Sequence, residues 1–134
     1  GFVGDSNRFE GKVKALNGQI VSLITDGGVE LHGQATTRVP KIGQRAQIFV
    51  RPEAIQLSKD PVQGGGPPNA SERVVDSVLF NGANSMVILR DPKSGETIQV
   101  TLPQTGEFLS LSKGETVYTS WNPTQARCFA TEGQ

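Results

Sequence analysis

The side chains able to do chemistry are few in this chain, and their spacing fits no common catalytic or metal-binding arrangement. The sequence has one cysteine, Cys128, and one histidine, His32. One thiol cannot form an internal disulfide, and a single Cys and His cannot complete a zinc site. We therefore expect His32 to be an exposed strand residue and Cys128 to be a small buried one, and we predict no catalytic, cofactor-binding or metal residues.

Two glycine-containing segments lack the residue pattern of a phosphate-binding loop. The Gly64 to Gly66 run is not followed by the Gly-Lys-Ser/Thr that a phosphate loop needs, and the Lys93-Ser94-Gly95 segment has the residue types in another arrangement. Asp91-Pro92 precedes the latter, which indicates a hairpin turn. The sequence predicts that this chain is not an enzyme in its own right.

Composition predicts a β-rich chain with many turns. The 134 residues include 16 Gly and eight Pro, and short apolar runs alternate with polar residues. Lys plus Arg and Asp plus Glu both count 13, so no net charge attracts nucleic acid. No apolar stretch approaches the roughly 20 residues that span a bilayer, so we expect a soluble chain. Because it begins Gly1-Phe-Val rather than with Met, we also expect it to be part of a longer protein.

Alternation with a period of two predicts strands with one buried face. No segment shows twelve residues of helical periodicity, so we expect at most short helical turns. The clearest alternating or continuously apolar segments lie at 12–16, 29–32, 46–50, 74–80 and 97–102.

A ten-residue pattern occurs twice, at 43–52 and 114–123. In both copies a Gly opens the segment, apolar residues follow three and seven positions later, and a Pro closes it. Each copy is preceded by an Asn-Gly turn, a strand, an Asp and a second strand. Turn residues recur in any β-rich chain, but the matched order favours a duplicated β module. The prediction is an all-β, OB-like barrel or sandwich built from two similar halves, with little helix.

The region 59–70 is rich in Gly and Pro and separates the two copies. Gly residues maximise backbone freedom, and Pro67-Pro68 withhold two amide donors from any sheet. We predict a first β half at 1–58, a linker or loop at 59–70 and a second β half at 71–134. Asn69-Ala70-Ser71 matches a glycosylation sequon, a short pattern to which we give little weight.

Four segments resemble, in order and spacing, one domain of a known family. They are Gly1 to Asn7, Val50-Arg-Pro-Glu53, Leu102 to Gly106 and Thr119-Ser-Trp-Asn-Pro123. Together they are similar to the C-terminal TOBE domain, an OB-like domain of the ATP-binding subunits of bacterial ABC importers. Subunits for polyamine (spermidine or putrescine) import are the most similar branch, with ferric iron and other small solutes as alternatives.

The resemblance implies an accessory, regulatory domain that supports subunit dimerisation. It places an ATPase domain upstream, where ATP and Mg would bind, and none of these cofactors in this chain. The implied partners are that ATPase domain, a second copy of the subunit and, through the full protein, the transmembrane permease subunits; no nucleic acid is expected. The implied location is cytoplasmic, peripheral to the inner membrane.

The resemblance also assigns candidate positions. The predicted junction with the ATPase domain comprises Phe2, Gly4 and Asn7. The predicted structural corner or interface comprises Arg51, Pro52, Glu53, Trp121 and Pro123. The alternative hypothesis is a stand-alone OB-like module for a small anion or single-stranded nucleic acid, in which aromatic residues would stack on bases; core or edge packing is the competing explanation for those aromatics.

Overall fold

The chain folds into ten β-strands in a computed structural model that describes residues 6–60, 68–81, 84–103 and 111–131. Two three-residue 3-10 turns, Pro52–Ala54 and Pro123–Gln125, are the only helical elements among these residues. The strands are β1 Asn7–Asn17, β2 Ile20–Thr25, β3 Glu30–Ala35, β4 Arg45–Val50, β5 Gln56–Ser58, β6 Ser71–Asn81, β7 Asn84–Arg90, β8 Thr97–Pro103, β9 Thr116–Ser120 and β10 Ala126–Ala130.

Five strands close into a barrel in the order β1-β2-β3-β10-β4. Strand β4 pairs antiparallel with both β1 and β10, and β10 closes the barrel by pairing parallel with β3. A closed barrel has no unpaired strand edge, which removes a common route to aggregation.

The other five strands form an open sheet in the order β5-β9-β6-β7-β8. Because the barrel is closed, its order can also be read as β10-β4-β1-β2-β3. The order of the open sheet is the same when β5 is matched with β10 and β6 to β9 with β1 to β4. Each half therefore receives its fifth strand from the other: β10 joins the barrel, and β5 pairs with β9 in the open sheet. This exchange ties the two sheets together and was not predicted from the sequence.

The two halves agree in local detail. The register of β1 shifts between Val13 and Ala15, and that of β6 shifts between Val75 and Ser77. At these bulges the N–H of Gly43 donates to Val13 O, and the N–H of Gly114 donates to Val75 O, both at 2.8 Å. The two glycines have φ of 88° and 91°, a conformation that other residues rarely adopt. The recurring Gly thus opens the fourth strand of each half where it meets a bulge.

The recurring Pro has an equally local explanation. Pro52 and Pro123 occupy the first positions of the two 3-10 turns, where a missing amide donor costs nothing. Each turn ends a fourth strand and redirects the chain into the exchanged fifth strand. The predicted all-β fold with two similar halves is confirmed.

Buried apolar side chains form one core that spans the barrel and the open sheet. The largest include Trp121, Leu23, Leu31, Ile48 and Leu89, each at most 2 % exposed. Within the described ranges, no helix is long and apolar enough to cross a membrane. The division at 59–70 remains a prediction about domain organisation.

Candidate functional site

Asn7, a predicted junction residue, joins the barrel to the open sheet. It lies on β1, is 7 % exposed, and accepts a hydrogen bond from the backbone N–H of Gln99 on β8 at 2.7 Å. Its Nδ2 donates to Gln99 O at 2.8 Å and to Val50 O at 3.3 Å. One side chain thus satisfies backbone groups of both sheets. The other two predicted junction residues, Phe2 and Gly4, lie outside the described residues.

Asn69 makes the reciprocal connection from the second half. Its Oδ1 accepts from the N–H of His32 at 2.7 Å, while its Nδ2 donates to His32 O and Trp121 O, both at 3.1 Å. Asn69 lies 62 residues after Asn7 and is 5 % exposed. It lies in the predicted linker or loop at 59–70, where the only sequence signal was the glycosylation sequon. We refer to Asn7 and Asn69 as the asparagine pair.

The two predicted corners lie at equivalent strand ends but differ in their surroundings. Arg51 and Glu53 are exposed on either side of buried Pro52, and neither forms an ion pair or side-chain hydrogen bond within the described residues. Both line a groove of about 520 Å³ on the barrel exterior, together with Phe49, Phe129 and Arg127. Phe49 and Phe129 meet edge to face at 5.9 Å between ring centroids.

The second corner is part of the core. Trp121 is 2 % exposed, and its ring stacks on Phe9 at 5.5 Å between centroids and 16° between planes. Its Nε1 has no hydrogen-bond partner in the part of the chain that the structure describes. Pro123 follows at the start of the second 3-10 turn, where Asn122 Oδ1 accepts from the N–H of Thr124 at 3.0 Å. In both copies the repeat therefore ends in a 3-10 turn, but only the first corner presents charged side chains to solvent.

A second cavity, of about 240 Å³, lies where the barrel meets the open sheet. We call it the Arg73 cavity, after a residue that is only 4 % exposed. No sequence pattern indicated a role for Arg73. The walls come from β1, the β2–β3 turn, β3, β6, the β7–β8 turn and β8. The lining residues used below are Arg8, Phe9, Glu10, Asp26, Leu31, Arg73, Asp91, Glu96 and Ile98.

An ion-pair network covers one side of the Arg73 cavity. Arg45 donates to both carboxylate oxygens of Asp26, at 3.2 and 2.9 Å, and lies 3.4 Å from Glu10. The hydrogen bonds from Arg45 hold the pKa of Asp26 below its usual value. On the other side, Asp91 accepts from the backbone N–H groups of Lys93 and Ser94, which is the predicted hairpin turn.

His32 is a strand residue, as expected, but it is only partly exposed. Its side chain is 29 % exposed, its Nδ1 lies 3.0 Å from Ser22 Oγ, and its Nε2 lies 3.6 Å from Glu30 Oε2. The prediction missed these contacts because Ser22 and Glu30 adjoin His32 through strand pairing and a two-residue spacing along β3. Among the residues that the structure describes, no three His, Cys, Asp or Glu side chains are grouped to hold a metal ion.

Cys128 is fully buried, as predicted, and burial raises the pKa of its thiol to about 11. Because the thiolate is the reactive form, we expect modification by Ellman's reagent at pH 8 to be at least about 100-fold slower in the folded chain than in urea. Stopped-flow absorbance gives both rates. Comparable rates would show that β10 opens readily from the barrel.

Comparison with known proteins gives a family match and related sequences. The family model described as "TOBE domain" matches residues 48–129. The spermidine/putrescine import ATP-binding protein PotA of Rubrobacter xylanophilus is 29 % identical over 122 residues, which are 90 % of this chain and 30 % of that protein. The protein of the same name from Protochlamydia amoebophila is 30 % identical over 82 residues, which are 60 % of this chain and 22 % of that protein. The chain thus spans less than a third of the length of these relatives.

A solved structure with the same fold is that of the cytoplasmic molybdate-binding protein ModG, in a form with molybdate bound. The two structures superpose with a TM-score of 0.78 over 93 % of this chain and 96 % of the other, at 18 % identity. At that identity the likeness establishes the fold alone, and it confirms the predicted OB-like architecture.

The family match covers more than half of the chain and contains both predicted corners, Asn69 and all but the last residue of the exchanged strand β10. It confirms the resemblance inferred from the four sequence segments, and it agrees with the prediction that this chain is not itself an ATPase. The chain belongs to the TOBE domain family.

Proposed function

We propose that this chain is an accessory domain of the ATP-binding subunit of an ABC importer for a small solute, with a polyamine favoured. The observation that carries the proposal is that 90 % of the chain aligns with under a third of a spermidine/putrescine import ATP-binding protein. On this proposal the rest of the subunit supplies the ATPase domain, with its ATP and Mg sites and its contacts to the permease. The chain would then act at the cytoplasmic side of the inner membrane.

The proposed mechanism is that the domain supports dimerisation of the subunit and regulates transport. The first corner suits such a contact, because Arg51 and Glu53 are exposed and flank a groove with aromatic walls. Aromatic residues and arginine are enriched in protein interfaces. The two β halves, at 1–58 and 71–134, would move as one accessory unit joined through 59–70.

A chimera tests this proposal. This chain replaces the matched segment in the Rubrobacter protein, and dimerisation and ATP turnover are compared with those of a version lacking the segment. We expect the deletion to weaken dimerisation at least about tenfold, equivalent to about 1.4 kcal/mol, and the chimera to restore it. Sedimentation velocity with Mg-ATP measures dimerisation, and phosphate release measures turnover.

A charge reversal provides the matched comparison. Arg51→Glu in the chimera should weaken the dimer, whereas Arg38→Glu, which changes an exposed arginine in a loop away from the groove, should not. If deletion, chimera and both variants share the same assembly and turnover, the accessory role in dimerisation and regulation is wrong.

A second candidate function is favoured by one observation. The fold matches that of ModG, a molybdate-binding protein, so a stand-alone OB-like module for a small anion is the alternative. Calorimetric titration with molybdate tests it, and titration with single-stranded DNA at several salt concentrations tests the nucleic-acid version, since phosphate contacts weaken steeply with salt. With 13 basic and 13 acidic residues, we expect no binding of DNA.

A further inference from the structure

The Arg73 guanidinium is a buried charge with few partners. Its Nε donates to Thr119 Oγ1 at 3.3 Å, and its Cζ lies 6.0 Å from the centroid of the Phe9 ring. No carboxylate within the described residues forms an ion pair with it. A guanidinium carries five N–H donors, so the hydrogen-bonding capacity of this group is mostly unused.

Such an arrangement is unfavourable unless something else pairs with the charge. Transfer of a cation out of water is costly, and buried charges in proteins are normally paired and hydrogen-bonded. Burial lowers the pKa of Arg73, and the carboxylates of Asp91 and Glu96 oppose this shift only in part; the side chain stays protonated. The guanidinium lines the Arg73 cavity, where an anionic group of a ligand would complete its hydrogen bonding.

The repeat indicates that the fold itself does not require an arginine at this position. The asparagine pair and the two bulges share one offset, 62 residues, which aligns Arg73 with Gly11. The first half thus builds the same strand with no side chain there. Arg73 departs from the repeat at the point where the two sheets enclose a cavity.

The other walls of the cavity restrict what the anion can be. Phe9, Leu31 and Ile98 offer apolar surface suited to a hydrocarbon group. Two basic side chains, Arg8 and Arg73, face the cavity. They are outnumbered by four carboxylates, which are those of Glu10, Asp26, Asp91 and Glu96.

The carboxylates that line the cavity favour a monoanionic ligand over a dianionic one. Arg45 pairs with Glu10 and Asp26. Asp91 accepts from backbone N–H groups, and the Glu96 carboxylate forms no ion pair or hydrogen bond within the described residues. Both carboxylates attract Arg73 only at longer range, without forming an ion pair with it. These last two carboxylates repel a dianion more strongly than a monoanion. A planar carboxylate also matches the fork of donors that a guanidinium presents.

We propose that the Arg73 cavity binds a small organic monocarboxylate, with the carboxylate on Arg73 and the hydrocarbon part against Phe9, Leu31 and Ile98. This inference is independent of the proposed importer role, because it depends only on residues within this chain. It also differs from the molybdate alternative, whose ligand is a dianion without a hydrocarbon part.

The test uses sodium butanoate as the probe and Trp121 as the reporter. Trp121 is the sole tryptophan, and it stacks on Phe9, which lines the cavity. We expect a saturable change in Trp121 emission, with a Kd on the order of 1–10 mM for so small a ligand. Sodium chloride holds the ionic strength constant, and sodium sulfate should bind at least about tenfold more weakly.

Variants separate the cavity from general salt effects. Arg73→Met removes the charge with little loss of volume and should weaken butanoate at least about tenfold. Arg38→Met makes the same change at an exposed position outside the cavity and should leave the Kd unchanged. Glu96→Gln removes a carboxylate that lines the cavity and competes with the ligand for Arg73, so it should tighten binding.

Nuclear magnetic resonance of the unmodified chain keeps the proposal testable if Arg73→Met does not fold. Butanoate should shift the Nε–Hε resonance of Arg73, and the Kd should match that from fluorescence. The proposal is overturned if butanoate gives no saturable signal, if sulfate binds as well, or if Arg73→Met folds and binds normally. Each of these results would leave the dimerisation test with the chimera unaffected.

Discussion

Replacing Gly11 by alanine is expected to lower the free energy of unfolding by about 3 kcal/mol. A Cβ built on Gly11 would lie 1.9 Å from Ile24 O and 2.6 Å from Thr25 Cα. Both are backbone atoms of β2, which pairs with β1 at this point, so no side-chain rotation relieves the clash. The barrel must widen or the β1–β2 register must slip. Urea unfolding followed by Trp121 fluorescence measures the loss.

Gly33→Ala is the matched control in the same barrel. A Cβ on Gly33 would approach side-chain atoms of Ile48 at 3.3–3.4 Å, and a side chain can adjust by a few tenths of an ångström. We expect a loss of no more than about 1 kcal/mol. Equal losses for the two variants would show that β2 is not held against β1 as closely as the structure indicates.

Removing either member of the asparagine pair is expected to cost about 2–4 kcal/mol. Asn69→Ala deprives the N–H of His32 of its 2.7 Å acceptor, and Asn7→Ala does the same to the N–H of Gln99. Two carbonyl groups also lose a donor in each variant, and both sites are buried. The penalty is large because the unpaired backbone groups stay desolvated. Urea unfolding of each variant measures it.

Two further variants sharpen this prediction. Asn122→Ala removes an exposed side chain that caps the second 3-10 turn, and it should cost only about 0.5–1 kcal/mol. Asn69→Asp keeps the acceptor but replaces the donor with a carboxylate oxygen beside the carbonyls of His32 and Trp121. It should be at least as damaging as Asn69→Ala at neutral pH. If Asn69→Ala cost no more than Asn122→Ala, the asparagine pair would not be what joins the two sheets.

Local chemistry explains the parts of the fold that were predictable. Few residue types can replace a Gly with positive φ or a Pro at the start of a turn. The repeat was therefore visible in the sequence at Gly43, Gly114, Pro52 and Pro123. The period-two alternation of the strands likewise follows from one-sided burial. These features depend on neighbours close in sequence.

The exchange of fifth strands was not predictable in the same way. Strand β5 has three residues, Gln56–Ser58, too few to show periodicity, and its partner β9 begins at Thr116. Asn69 was missed for a related reason. Its hydrogen-bond partners, the backbone groups of His32 and Trp121, lie 37 and 52 residues away, and its Gly/Pro-rich setting indicated a linker or loop. Pairing across such distances is decided by the packing of the two sheets.

The candidate sites were also predictable only where they depend on neighbours close in sequence. The resemblance indicated Asn7 as a junction residue, but its hydrogen-bond partner Gln99 is 92 residues away and could not be identified from the sequence. Arg73 was not identified because a charged residue in a strand reads as solvent-facing. The 62-residue offset of the asparagine pair was the one available signal, since it aligns Arg73 with Gly11.

If this chain is the accessory domain of an importer's ATP-binding subunit, the reading frame upstream of the Gly1 codon encodes an ATPase domain. Sequencing that frame should reveal, in frame, a Gly-x-x-x-x-Gly-Lys-Ser/Thr phosphate loop, a Leu-Ser-Gly-Gly-Gln signature and a Walker B carboxylate. A frame that starts at or just before Gly1, or that encodes a domain without these motifs, would contradict this role.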